Sequence, residues 1–139
     1  VVELGPGTGS FTRELHENVP PHCKVMLIEL NADYIPFLKS KYGDRFEIVQ
    51  GSAENFEELV KSSGWPKVDL IVSGLPFTLP QSVKKPLYKS LLAQSQQGTI
   101  FRWFTYFPWL MKPHFKAFPF RCVKGVWFNL PPLWVYSVN

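Results

Sequence analysis

Residues 1–15, VVELGPGTGSFTREL, decide the reading of this chain. An apolar run over residues 1–4 meets a loop in which Gly5, Gly7 and Gly9 alternate with Pro6 and Thr8, and a helix-like pattern starts at Ser10. Lacking a Cβ, glycine allows the sharp turn and lets a ligand approach the backbone. A helix N-terminus beside the loop adds unpaired N–H groups and a positive dipole. The dinucleotide fingerprint would be GxGxxG, but here the third glycine comes one residue early. Glu3 stands just before the loop, where a carboxylate repels a pyrophosphate and suits a cationic ligand.

S-adenosylmethionine, with its sulfonium and ammonium, fits such a loop better than a nicotinamide dinucleotide. A second anchor is Glu29, 20 residues after Gly9 at the end of the next apolar run. An acidic residue at that distance can accept hydrogen bonds from ribose hydroxyls.

Outward from the loop, apolar runs alternate with helix-like stretches. A helix is expected over Ser10–Asn18, with Phe11, Leu15 and Val19 at spacing four, stopped by Pro20-Pro21. A strand follows over 24–30. The next helix covers 31–42, and Pro36 fits in it only if it starts late or is distorted. Further expectations are a strand over 46–50, a helix over 53–63 and a strand over 68–73. This alternation argues for parallel βαβ units covered on both faces. The second half changes character: a helix over 86–93, an aromatic strand over 99–107, a proline-broken segment over 108–120, and two apolar runs, 123–130 and 133–138, expected as an antiparallel pair.

The charge is divided just as sharply. All 11 acidic residues lie between Glu3 and Asp69, giving that part −4, while residues 70–139 carry 8 Lys/Arg and no acid, giving +8. The basic half is expected to face something anionic. Residues 101–120 interleave rings with Arg102, Lys112 and Lys116. Such a mixture suits a membrane interface, where rings sit at headgroup depth and cations meet anionic lipid. It equally suits single-stranded RNA, where rings stack on bases. Phe101 and Trp103 are expected in the core, and 108–118 at the surface.

The motifs VVELGPGTGSFT, LIELN, VQGSAEN and VDLIVSGLPF resemble those of class I S-adenosylmethionine-dependent methyltransferases. Among these the chain is most similar to the bacterial phospholipid N-methyltransferases and the ribosomal RNA adenine dimethylases. The resemblance implies an α/β, Rossmann-like methyltransferase fold: a mostly parallel sheet with a C-terminal antiparallel strand pair. It implies that Glu3, Gly5, Gly7 and Gly9 line the methionine end of S-adenosylmethionine, that Glu29 holds the ribose, and that Asn31, Ser52 and Ala53 lie by the adenine. Ser52 departs from the Asp often found there.

Ser73, Gly74, Leu75, Pro76 and Phe77 follow the fourth strand, at the rim where open α/β sheets bind ligands. Adenine dimethylases resemble this segment but carry Asn where Gly74 stands, and that amide orients the adenine amine. Its loss argues against adenine. Ser-Gly-Leu-Pro-Phe, Thr105-Tyr106 and the late Asn129-Leu130-Pro131-Pro132 segment look instead like the phospholipid enzymes. That likeness implies phosphatidylethanolamine as acceptor. Ser73, Gly74 and Leu75 would direct the amine, with Phe77 and Tyr106 as walls and Tyr106 as proton acceptor. Ribosomal RNA adenine is the alternative acceptor, and a catalytically impaired RNA- or membrane-binding module is the non-enzyme reading.

The expected partners are a phospholipid or an anionic membrane surface, with RNA as the alternative; nothing calls for an obligate protein partner. His16, His22 and His114 are isolated, and no metal-type spacing occurs. Neither a signal peptide nor a run of about 20 apolar residues is visible, and Cys23 and Cys122 imply no disulfide framework. A cytoplasmic site, peripheral on the inner membrane face, is expected. The length suits one domain, 1–139, and the start at Val1 inside a strand leads us to expect a missing N-terminal segment.

Overall fold

A computed structural model describes residues 1–139 except 77, 117 and 129. Seven strands form one sheet: β1 (Val2–Leu4), β2 (Met26–Glu29), β3 (Glu47–Gln50), β4 (Leu70–Ser73), β5 (Ile100–Thr105), β6 (Arg121–Val126) and β7 (Leu133–Val138). Their order is β3-β2-β1-β4-β5-β7-β6. The first five pair in parallel, and β7 runs antiparallel to both β5 and β6. Chain order reverses at β1, which lies between β2 and β4. In open α/β sheets the ligand crevice lies outside the strand ends at such a switch point.

The sheet's period of two sorts β1 between its faces. Val2 and Leu4 join a large core with Met26, Ile28, Phe56, Ile71, Leu87, Phe101, Trp103 and Tyr136. Glu3 points the other way, toward α1 (Ser10–Asn18). A second, smaller cluster on β2 and α2 (Tyr34–Tyr42) holds Val25, Leu27, Leu38, Tyr42 and Phe46, with Leu15 and Val19 packed against it.

The helix α2 starts at Tyr34, which puts Pro36 in the first turn, where its missing N–H has no intrahelical partner to lose. The 53–63 stretch is a 3-10 turn, Ala53–Asn55, running into α3 (Phe56–Ser62). The largest departure from expectation is α4, which runs Gln81–Gln96 rather than 86–93. Pro86 lies inside it rather than starting it; the buried Leu87 and Leu91, both after the proline, anchor the helix to the core.

The segment after β5 divides. Met111, Phe115 and Phe118 are buried, whereas Phe107, Trp109 and Leu110 are exposed. It forms a short α5 (Pro108–Met111) and a 3-10 turn (Lys112–Phe115) that pack Phe115 flat on Trp103, with ring centroids 4.4 Å apart. The surface reading of 108–118 therefore holds for Trp109, Leu110, Lys112, Pro113, His114 and Lys116 and fails for Met111, Phe115 and Phe118. Prolines break the helix, but the rings still fill the gap beside β5. No helix among the described residues is long and apolar enough to cross a membrane.

Candidate active site

Two clefts open at the carboxyl ends of β1 and β4. The first, about 170 Å³, is lined by Gly5, Ile28, Glu29, Leu30, Gly51, Ser52, Ala53, Leu75, Leu79, Pro80 and Val83. Its floor requires bare backbone. Gly5 has φ +69°, and a Cβ there would lie 2.6 Å from Leu75 Cδ2. A Cβ on Gly51 would lie 2.8 Å from Leu59 Cδ1.

Glu29 ties the loop to the second strand. Its Oε2 accepts from the Gly7 N–H at 2.9 Å and its Oε1 from the Asn31 N–H at 2.8 Å. Each carboxylate oxygen keeps a further lone pair for a hydroxyl. Glu3 is buried, and its Oε2 accepts from the Thr12 hydroxyl at 2.9 Å. Its Oε1 is buried with no hydrogen-bond partner among the described residues. Burial pushes the Glu3 carboxyl up to about 7; the Thr12 hydroxyl pulls it down and the Glu29 charge raises it further. An orphaned buried carboxylate oxygen costs free energy that a cationic ligand would recover.

The second cleft, about 360 Å³, is lined by Gly74, Leu75, Pro76, Thr78 and residues 104–107. Leu75 lines both clefts, so they meet at its side chain. Ser73 is buried, and its hydroxyl oxygen accepts from the Leu75 N–H at 3.3 Å. Thr105 holds the turn out of β5 by accepting from the Phe107 N–H at 3.1 Å. Tyr106 and Phe104 meet edge to face, 5.5 Å between centroids, and Phe104 meets Phe11 in the same way at 4.9 Å. The described residues lining this cleft include no carboxylate.

The other expected site residues fall as follows. Ser52 and Ala53 line the first cleft, and the Ser52 hydroxyl donates to Glu54. Asn31 is exposed, with its Oδ1 accepting from the Asp33 N–H at 3.0 Å, so its side chain shapes the approach to α2. Gly7 contributes its N–H to Glu29. Gly9 caps α1 at φ +82° and lies against Tyr42, 3.2 Å from where its Cβ would stand. Phe77 lies outside the described residues.

Sequence reasoning missed Thr12, Leu30, Gly51, Leu79, Pro80 and Val83. Gly51 was open to the same argument as the loop, because it also follows a strand end. Thr12 was not, since only the fold brings a threonine on α1 against Glu3. Gly74 takes on a different meaning too. A Cβ there would lie 2.8 Å from the Gly5 carbonyl oxygen, so the strands as packed leave no room for the Asn of the adenine enzymes.

Comparison with known proteins fits this geometry. A family described as a methyltransferase domain matches residues 1–94. The ornithine lipid N-methyltransferase of Singulisphaera acidiphila is 33% identical over 98% of this chain and 73% of its own length. The chain belongs to the class I S-adenosylmethionine-dependent methyltransferases. The ribosomal RNA small subunit methyltransferase A of Paraburkholderia xenovorans is 34% identical over 67% of this chain, which spans about a third (33%) of that protein. Fibrillarin of Aeropyrum pernix, solved with S-adenosyl-L-methionine, shares the fold at TM-score 0.71 and 14% identity, over 99% of this chain and 65% of its own. TrmN of Thermus thermophilus does so at 0.65 and 16%, over 99% and 43%.

The residues present fit the cofactor of this family. The bare-backbone cradle and the free lone pairs of Glu29 suit a ribose; the orphaned Glu3 oxygen suits a cation, although Glu3 is buried and lines neither cleft. When bound, S-adenosylmethionine supplies an electrophilic methyl group on a sulfonium. The chain's part is to join the two clefts at Leu75 and to line the second with rings.

Proposed function

We propose that this domain methylates the amine of a lipid headgroup at a membrane surface, phosphatidylethanolamine or an ornithine lipid being the type of acceptor. In this reading Glu3, Gly5 and Gly7 hold the cationic end of the cofactor, Glu29 the ribose, and Ser52 and Ala53 the adenine. Gly9 and Asn31 support the loop and the helix behind it. The observation that carries the reading is a set of exposed rings and leucines at the end of the sheet where β5 leads into the second cleft. Phe107, Trp109 and Leu110 after β5, and Trp127, Phe128 and Leu130 before β7, are all exposed. The antiparallel register puts both groups at one end of the sheet, since Thr105 pairs with Trp134 and Val126 with Leu133. Exposed rings and leucines in one zone, on a half with net charge +8, match a headgroup-depth contact with an anionic surface. The ornithine lipid relative supports the same reading.

Methyl transfer to nitrogen is an in-line displacement, so positioning does most of the work and the amine must be neutral. Phe104, Tyr106 and Phe107 offer faces to the cation before and after transfer. The Ser73 hydroxyl and the Gly74 and Leu75 carbonyls direct the amine. With no carboxylate among the described lining residues, the proton leaves to water or through the Tyr106 hydroxyl.

The test is transfer from radiolabelled S-adenosylmethionine in a mixture of amine-lipid vesicles and ribosomal RNA, followed by solvent extraction. Label is expected in the organic phase, and the double variant Trp109→Ser/Phe128→Ser should lose vesicle binding about tenfold while keeping cofactor affinity. Label retained on RNA would replace the lipid with an adenine acceptor.

A further inference from the structure

A basic cavity separate from both clefts lies between α4 and the 3-10 turn after α5. Gln81, Lys84, Lys85 and Tyr88 of α4, with Pro113 and His114 of the 3-10 turn after α5, line a space of about 360 Å³. Lys84 is only 7% exposed, and its Nζ lies 3.2 Å from Nδ1 of the exposed His114 ring. The ammonium and the imidazole nitrogen are within hydrogen-bond distance, and the ring tautomer sets which of them donates. Lysine is rarely buried this deeply, because an ammonium gives up its hydration to enter the protein. Here it is buried on the wall of a cavity.

The chemistry of the surroundings points to one kind of ligand. The two segments that build the cavity contribute Lys84, Lys85 and His114, with Lys89, Lys112 and Lys116 nearby in the chain, and no Asp or Glu occurs after Asp69. A concave site of nitrogen donors without local carboxylates selects an oxyanion. The cavity's position is equally specific. Val83 lines the cofactor cleft and the next residue, Lys84, lines the basic cavity. Phe107 lines the acceptor cleft, and the chain reaches His114 within the following short turns. The segment from β4 into α4 thus contributes to all three spaces, and the segment after β5 to the acceptor cleft and the basic cavity.

We propose that the Lys84–His114 cavity binds the oxyanion of a zwitterionic amine lipid, and so sets which end of the headgroup faces the methyl donor. The proposal rests on the lipid reading above. The oxyanion is a phosphodiester if the acceptor is phosphatidylethanolamine and a carboxylate if it is an ornithine lipid. Lys84 and His114 are positioning residues in this scheme, because they hold the headgroup and not the reacting nitrogen.

Two measurements on the full chain test it. Titration with inorganic phosphate, followed by histidine ring ¹H–¹⁵N resonances, should move the signal that His114→Asn removes. Methyl transfer to phosphatidylcholine vesicles doped with phosphatidylethanolamine, or with ornithine lipid, should show KM for the amine lipid raised about tenfold or more in Lys84→Gln and in His114→Asn. Turnover at saturation and cofactor affinity should stay near wild type. Lys89→Gln, on the same helix but outside the cavity, should change none of these. A KM rise with only one lipid identifies that lipid's oxyanion as the ligand. If the wild type methylates amine lipid and neither variant changes KM, the anion site is wrong and the lipid reading survives. Should phosphate move the His114 signal while the label goes only to RNA, the lipid assignment falls with the proposal. If Lys84→Gln does not fold, the exposed His114→Asn carries the test alone.

Discussion

Glu3 and Glu29, at the ends of β1 and β2, are held by Thr12, Gly7 and Asn31 at 2.8–2.9 Å. Tyr106, one residue past the end of β5, sits among rings instead, with Phe104 edge-on at 5.5 Å. The first region recognises by hydrogen bonds and charge, through bare backbone packed too tightly for a Cβ. The second offers shape and ring faces, with no charged side chain among its described lining residues. A cofactor of one fixed structure suits the first. An acceptor that enters from a surface with a variable apolar part suits the second. The two regions meet where Leu75 lines both clefts and where Gly74 packs against the Gly5 carbonyl.

The division makes substitutions separable, and the largest effect is expected at Gly5. Gly5→Val combines a left-handed φ with a Cβ aimed at Leu75. It should abolish cofactor binding in calorimetry and lower stability by about 1–3 kcal/mol in a thermal melt. Retained binding would remove the loop as the cofactor cradle.

Next comes Glu29→Ala, which frees the Gly7 and Asn31 N–H groups and deletes the proposed ribose acceptor. Cofactor affinity should drop about tenfold or more, with vesicle binding unchanged. A parallel loss of vesicle binding would mean that the regions are not independent.

Glu3→Gln sharpens the comparison through pH. The folded-state carboxyl is raised from 4.5 to about 7, so the fold prefers its neutral form. Without ligand, stability should therefore decline as pH rises from 4.5 and level off above about 7. Affinity for a cationic cofactor should rise over the same interval, as Glu3 gains its charge. Glu3→Gln should flatten both profiles, measured by denaturant unfolding and calorimetry across that range. A wild-type affinity independent of pH would separate Glu3 from the cation.

Tyr106→Phe is expected to be the mildest, lowering turnover severalfold with cofactor affinity intact. Unchanged turnover would restrict the residue to its ring face. A change in cofactor affinity would cut across the division between the regions.

Much of the first region was legible in the order of residues. Alternating glycines after an apolar run, and Glu29 at the end of the next, mark strand ends because turns and ligand approach impose those residue types locally. The same local logic read α1 and β7 to their observed bounds, Ser10–Asn18 and Leu133–Val138. Less of the second region was legible. Pro86 hid the first turn of α4, and rings spaced without a clean period left 108–120 undivided between core and surface.

By itself the sequence determined the parallel α/β sheet, the glycine loop and the separation of acidic from basic halves, since each follows from short-range periodicity, backbone sterics or a count of charges. Only the tertiary structure decided that Thr12 answers Glu3, that Gly74 is pressed against the Gly5 carbonyl, that Phe115 is buried while Trp109 is not, and that Lys84 faces His114. These pairs come from segments far apart in the chain. Which partners they find depends on the sheet order, and no local pattern encodes it.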